Sequence, residues 1–314
     1  MDIRKLGIVG CGNVGATIAY TAVQSRLFSE IVLLDRNEER AMGEVLDISH
    51  CLPFVGPMSV YRGTYEKLCD AGIIVVAAGA NQSKDETRLD LTVRNARIVA
   101  DVVERIASVN RECIILIVTN PVDVLTFRSC KSAGFADGKV IGSGTVLDTG
   151  RLKYLVGERL KVDHRNVHTF IIGEHGDSEL AVWSSANISG IDLKDYLSMC
   201  GVDFGEIYSL YDNVVKSAYE IIRGKGATYY AIAQAAMRIL RSIVLDENSI
   251  LPVSTLVNGH YGIDGICMSI PCIIGRCGVR RVLDIPLNED ESRRLCMSAE
   301  TLKQATELCL KTPV

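Results

Sequence analysis

Leu6-Gly7-Ile8-Val9-Gly10-Cys11-Gly12-Asn13-Val14-Gly15 decides the fold. A short apolar strand runs into three glycines spaced Gly-x-Gly-x-x-Gly, and small and apolar residues from Asn13 to Ser25 then line one side of a helix. The first glycine of such a unit permits the tight turn, the second lets the backbone approach a pyrophosphate, and the third lets the helix pack on the strand. The helix N-terminus adds free N–H groups and the positive end of its dipole. Asp35 lies 20 residues beyond Gly15, at the end of the apolar run Ile31–Leu34. An acid there accepts hydrogen bonds from an adenosine ribose and repels a 2′-phosphate, which favours NAD over NADP. The expected dinucleotide-binding residues are Gly10, Gly12, Asn13, Val14, Gly15 and Asp35.

Outward from this unit, β-rich runs alternate with helical patterns. Strands are expected at Leu6–Val9, Ile31–Leu34, Ser59–Arg62, Ile73–Ala77, Ile114–Val118 and Val140–Ile141. Helices are expected at Asn13–Ser25, at Asn37–His50 with Asn37 as N-cap, and at Leu91–Val109. Strands joined by helical crossovers imply an α/β fold with a doubly wound parallel sheet of Rossmann type. After Gly142 the pattern changes to mixed α+β. Helices are expected at Thr145–Leu160, Tyr208–Arg223, Thr228–Leu245 and Asp290–Leu310, and strands at Val167–Ile172, Leu251–Leu256 and Ile266–Ile273. A dinucleotide-binding domain over 1–142 and a substrate domain over 143–314 are the expected division.

The composition excludes several classes. Of 314 residues, 48% are hydrophobic and 23% charged, the balance of a folded globular chain. A net charge of −4 with no basic block leaves no footprint for nucleic acid. No apolar run approaches the roughly 20 residues of a membrane span, and no signal peptide is evident. Eleven scattered cysteines, mostly within apolar runs, suit a reduced cytoplasmic protein. Cys267, Cys272 and Cys277 recur at intervals of five without a Cys-x-x-Cys pair or nearby His, so no metal is expected.

The second half carries the chemistry. Gly173-Glu174-His175-Gly176-Asp177 puts a histidine on a glycine-flanked loop after a strand, and Asp148 and Arg151, three apart in a helix, share a face. Hydride transfer on a hydroxy acid needs a base, a carboxylate to orient it, a guanidinium fork for the substrate carboxylate, and a cation to polarise the carbonyl. His175, Asp148, Arg151 and Arg88 can supply these in that order.

Four segments together carry a resemblance: Gly142-Ser143-Gly144-Thr145 through Leu147-Asp148-Thr149-Gly150-Arg151; Gly173 to Asp177; Thr119-Asn120-Pro121-Val122-Asp123; and Ala80-Asn81-Gln82 to Glu86-Thr87-Arg88-Leu89. Through them nearly the whole chain resembles the L-lactate/malate dehydrogenase family, in detail its bacterial lactate-type members. The resemblance implies reversible reduction of pyruvate to L-lactate by NADH. His175 would be the proton donor and acceptor with Asp148 as partner, and Arg151 would grip the substrate carboxylate. Arg88 would close over the carbonyl on a mobile loop, and Asn120 would line the site. Gly79, Ala80, Asn120 and Ile232 would join the cofactor contacts, and Thr228 would border the substrate side chain.

Within the family, Gln82 stands where malate enzymes usually carry Arg. A neutral amide suits the methyl end of pyruvate and would leave a second carboxylate unpaired. A malate dehydrogenase, another 2-hydroxyacid dehydrogenase and a non-catalytic NAD-binding protein are the alternatives. The resemblance further implies a homotetramer. It also implies possible activation by fructose 1,6-bisphosphate at Lys153 and His168, with Lys153 replacing the usual Arg.

Overall fold

A computed structural model describes residues 1–80, 88–132 and 134–310. In the first half, strands and helices alternate as β1 (Asp2–Val9), α1 (Asn13–Ser25), β2 (Glu30–Leu34), α2 (Glu38–Ser49), α3 (Leu52–Val55), β3 (Ser59–Arg62), β4 (Ala71–Val76), α4 (Arg88–Val109), β5 (Ile114–Ile117), α5 (Val122–Ser132) and β6 (Val140–Gly142). The strands lie parallel in the order β3-β2-β1-β4-β5-β6. The order reverses between β1 and β4, and a crevice at the carboxyl ends of strands opens at such a point. All six residues of β4 are buried, as expected of a parallel strand covered on both faces. Asn37 caps α2 by accepting the Arg40 N–H.

The second half continues as α6 (Val146–Leu160), β7 (Val167–His168), β8 (Ile171–Ile172), β9 (Leu180–Ala181), β10 (Asn187–Ile188), β11 (Ile191–Asp192), α7 (Leu193–Cys200), α8 (Phe204–Lys225), α9 (Tyr230–Val244), β12 (Ser249–His260), β13 (Ile263–Gly275), β14 (Gly278–Val282) and α10 (Glu289–Leu310). Strands β12 to β14 are antiparallel and extend the first sheet, because Ser254 of β12 pairs with Gly142 of β6. Among the described residues that sheet has nine strands.

Several elements differ from the sequence expectation. The strand expected over Val167–Ile172 divides between two small sheets, β7 pairing with β10 and β8 with β9. Thr149 explains part of this: its hydroxyl takes the Ile171 N–H at 2.9 Å, outside any ladder. Strands β12 and β13 run past the expected ends through a bulge at Asn258, where Gly259 adopts φ +80°. Helix α4 begins at Arg88, three residues before Leu91.

One apolar core spans the central sheet in both halves. A second, including Leu152, Val156, Trp183 and Ile207, seats α6 against α7 and α8. Among the described residues no helix is long and apolar enough to cross a membrane.

Candidate active site

The glycine turn is built by close approach. Gly10 has φ +101°, and a Cβ there would lie 2.4 Å from the Ala78 backbone nitrogen. A Cβ on Gly15 would lie 1.8 Å from the Gly10 carbonyl oxygen, so α1 could not pack. Gly12 differs: nothing lies within 4 Å of its missing Cβ, and its backbone faces open space. Asp35 staples the turn, its Oδ2 accepting the Cys11 N–H at 2.6 Å and its Oδ1 the Asn37 N–H at 2.9 Å. A groove of about 1160 Å³ starts here and is lined by Gly12, Asn13, Asp35, Ala80 and Thr228 among others. The open cradle at Gly12, the free α1 N-terminus and the strand-end acid fit a dinucleotide.

Asn95, buried in α4, joins the loops that continue this groove. Its Oδ1 accepts the Ala80 N–H at 2.8 Å, and its Nδ2 donates to the Asn120 carbonyl at 2.9 Å. Thr119 donates to the Ala78 carbonyl at 2.8 Å. The turns after β4 and β5 are thereby held together.

His175 sits on a loop pinned from three sides. Gly173 and Ser269 of β13 exchange backbone hydrogen bonds at 2.9 Å. Ser298 of α10 accepts the Glu174 N–H at 2.8 Å, and Asp123 of α5 accepts the His175 N–H at 2.7 Å. The imidazole Nδ1 lies 2.7 Å from Asp148 Oδ2, and Arg151 Nη1 donates to Asp148 Oδ1 at 2.8 Å. Asp148 is 4% exposed at its side chain, His175 23% and Arg151 13%, so the acid is sealed while the imidazole reaches the site.

Electrostatics follow from this packing. Burial pulls the imidazole pKa down, but the Asp148 charge and hydrogen bond, joined by Asp123 and Glu179, hold it at about 9. Burial pushes Asp148 upward, and the His175 and Arg151 cations reverse that, leaving it below its usual range. Glu179 is buried beside them. Desolvation first and the Asp148 charge second raise its carboxyl to about 9. Ligand-type atoms of Asp148, His175 and Glu179 lie within 4.8 Å of one another. By donor type the three could hold a metal, but Nδ1 and Oδ2 are spent on each other and the Arg151 cation already meets Oδ1. The arrangement instead suits proton transfer: with Nδ1 committed to Asp148, Nε2 is the nitrogen left to meet a ligand.

The structure thus brings His175, Asp148 and Arg151 together. Thr228, Gly79 and Ala80 line the groove with the glycine turn. Asn120 is exposed after β5, and Ile232 is half-buried in the first turn of α9 against the main core. Gln82 lies outside the described residues. Arg88 opens α4, and its side chain is likewise outside them. Lys153 is half-buried on α6, where burial and the Arg238 charge lower its pKa. His168 is exposed on β7 opposite Asn187.

Sequence reasoning passed over Asn95, Glu179 and the side chain of Asp123. Each carried a signal: an amide on the apolar face of a helix, an acid at the head of the apolar run Leu180–Val182, and an acid next to a helix start.

Residues 4–142 match the family model described as lactate/malate dehydrogenase, NAD binding domain, and residues 145–312 match lactate/malate dehydrogenase, alpha/beta C-terminal domain. An L-lactate dehydrogenase of Acetivibrio thermocellus is 50% identical over 304 residues, covering 96% of each chain. One from Thermoanaerobacter pseudethanolicus is 47% identical over 309 residues, covering 97% of this chain and 99% of the relative. Among solved structures, MGS-M5, a lactate dehydrogenase enzyme from a Medee basin deep-sea metagenome library, superposes with a TM-score of 0.96 at 41% identity, covering 99% of this chain and all of that one. The ligand-bound minor L-lactate dehydrogenase from Enterococcus mundtii gives a TM-score of 0.94 at 38% identity, covering 97% of this chain and 98% of that one.

Proposed function

The chain belongs to the lactate/malate dehydrogenase family and is an NAD-dependent oxidoreductase, and from that premise we propose that it interconverts pyruvate and L-lactate. The observation that carries the reading is the meeting of His175, Asp148 and Arg151 at hydrogen-bond distance. The names of the relatives support lactate as the product.

NAD would be held by Gly10, Gly12, Asn13, Val14, Gly15 and Asp35 at the adenosine and pyrophosphate end, and by Gly79, Ala80, Asn120 and Ile232 further along. When bound, its nicotinamide supplies or accepts the hydride. The protein's residues do the rest. Arg151 offers its fork to the substrate carboxylate, which Lys could not match in bidentate geometry. In pyruvate reduction the Nε2 proton of His175 passes to the carbonyl oxygen. In lactate oxidation Nε2 takes the hydroxyl proton, and Asp148 stabilises the imidazolium that forms. Arg88 stabilises the charge growing on the carbonyl oxygen, so it acts on turnover more than on binding. Gln82 and Thr228 set the side-chain preference.

An assay of NADH absorbance with pyruvate, oxaloacetate and longer 2-oxo acids tests this. Pyruvate should give the highest kcat/KM. A higher value for oxaloacetate would move the chain to the malate type, and no oxidation of NADH with any 2-oxo acid would leave a binding protein.

Activation by fructose 1,6-bisphosphate at Lys153 and His168, in a homotetramer, is part of the same proposal. Arg238 beside Lys153 supports it, since neighbouring cations favour a phosphate dianion. The eleven free cysteines support a reducing, cytoplasmic setting.

A further inference from the structure

We infer that Thr149 is a positioning residue for the proton-transfer pair: its hydroxyl, together with that of Thr145, fixes the register of α6 against β8 and so sets the contact of Asp148 with His175. The inference rests on His175 being the proton donor. Strand β8 pairs with β9 alone, and Ile171 stands opposite Ala181 in that pair. The N–H and C=O of Ile171 are directed to α6 instead. Thr149 Oγ1 accepts the Ile171 N–H at 2.9 Å, and Thr145 Oγ1 donates to the Ile171 carbonyl at 2.5 Å. Both threonines are buried, and they stand one helical turn apart, so their side chains share a face. Two hydroxyls thus take the place of a neighbouring strand. Two residues on, Gly173 pairs along the same edge with Ser269 of β13, and His175 follows two residues later.

The hydroxyls are what need a cause. Thr145 is the N-cap residue of α6, yet its side chain makes no capping bond. A hydroxyl is costly to bury without a partner, and threonine favours a helix less than alanine does. Both side chains find their partner in Ile171. Apolar packing is non-directional and would let α6 slide along the strand, whereas a donor and an acceptor aimed at one residue admit a single register. That register places Asp148, directly before Thr149, against His175, four residues beyond Ile171, at 2.7 Å. Arg151 on the same helix travels with it. Among the described residues, the other titratable groups around this pair are Asp123 of α5, Glu174 and Glu179 on the histidine's own segment, Tyr211 of α8 and Cys267 of β13. None of them stands on α6, so the Asp148 contact is the one that the threonines control.

Thr149→Val keeps the branched shape and loses the acceptor. Thr149→Ser keeps the hydroxyl and loses a methyl. In the valine variant the imidazolium loses part of its support, so the alkaline limb of kcat/KM for pyruvate should move down by about half a pH unit or more. At pH 7 kcat/KM should fall about tenfold through misplacement, with serine recovering most of it and NADH affinity staying within about twofold. A limb that stays in place, whatever happens to Tm, marks a merely structural role and overturns the inference. So does a valine variant with wild-type kcat/KM, or a serine variant as impaired as valine. Should valine not fold, Thr149→Cys replaces it, because a thiol sulfur is only a weak acceptor, and its limb must move down in the same sense. NMR titration of the His175 ring, assigned with His175→Asn, needs no turnover. The ring midpoint should lie lower in the variant than in wild type, and an unchanged midpoint overturns the inference even where the enzyme is active. A lowered midpoint in a protein that reduces no 2-oxo acid upholds the register clamp and rejects the reaction.

Discussion

His175 Nδ1 and Asp148 Oδ2 are 27 residues apart in the chain and 2.7 Å apart in space. The other oxygen of Asp148 holds Arg151 at 2.8 Å, so one sealed carboxylate orients both the proton donor and the expected substrate fork. The consequences are measurable.

Asp148→Asn should lower kcat/KM for pyruvate by about a hundredfold at pH 7. The sign follows from the proton: His175 is held at about 9, so reduction, which needs imidazolium, is available below pH 9 and fails above it. Lactate oxidation needs the neutral ring and should rise through the same range. Without the Asp148 charge both limbs should move to lower pH, as read from pH profiles in the two directions. Profiles that coincide with wild type would remove Asp148 from its assigned role.

Arg88→Gln should reduce kcat about a hundredfold or more while changing NADH affinity little, because its charge matters most as the carbonyl oxygen becomes negative. Steady-state kinetics with fluorescence titration of NADH separates the two effects.

Gln82→Arg should raise the ratio of kcat/KM for oxaloacetate over pyruvate by roughly two orders of magnitude, since a guanidinium pairs the second carboxylate and meets a methyl poorly. The comparison is of the two substrates on one preparation.

Gly12→Ala and Gly15→Ala should fail differently. At Gly12 the space is open, so Tm should hold while NADH affinity drops about tenfold or more; at Gly15 the added carbon meets the Gly10 carbonyl at 1.8 Å, so Tm itself should fall. Calorimetry and NADH titration read the pair.

Fructose 1,6-bisphosphate should lower the KM for pyruvate at fixed pH, and Lys153→Ala should abolish that response while leaving the basal rate within about twofold. An unresponsive wild type would remove the effector from the proposal.

Much of this was legible in the chain because local rules wrote it. The glycine spacing, Asp35 and the apolar runs of β1, β4 and β5 follow from turn sterics and from burial on both faces of a parallel sheet. The Asn37 cap and the Asp148/Arg151 spacing follow from helix geometry. The strand over Val167–Ile172 was not legible, because the Thr149 hydroxyl captures the Ile171 N–H from another element. Nor was the continuity of the sheet through Ser254 and Gly142, a single pairing 112 positions apart in numbering.

By itself the sequence determined the strand–turn–helix nucleotide unit and the kinds of residue available for proton transfer, since these depend on neighbours within a few turns. Only the tertiary structure decided that Asp123, Asp148 and Glu179 would surround one imidazole, and so how tightly it holds its proton. That affinity is a sum of desolvation and charge over groups from different elements, and no local pattern encodes such a sum.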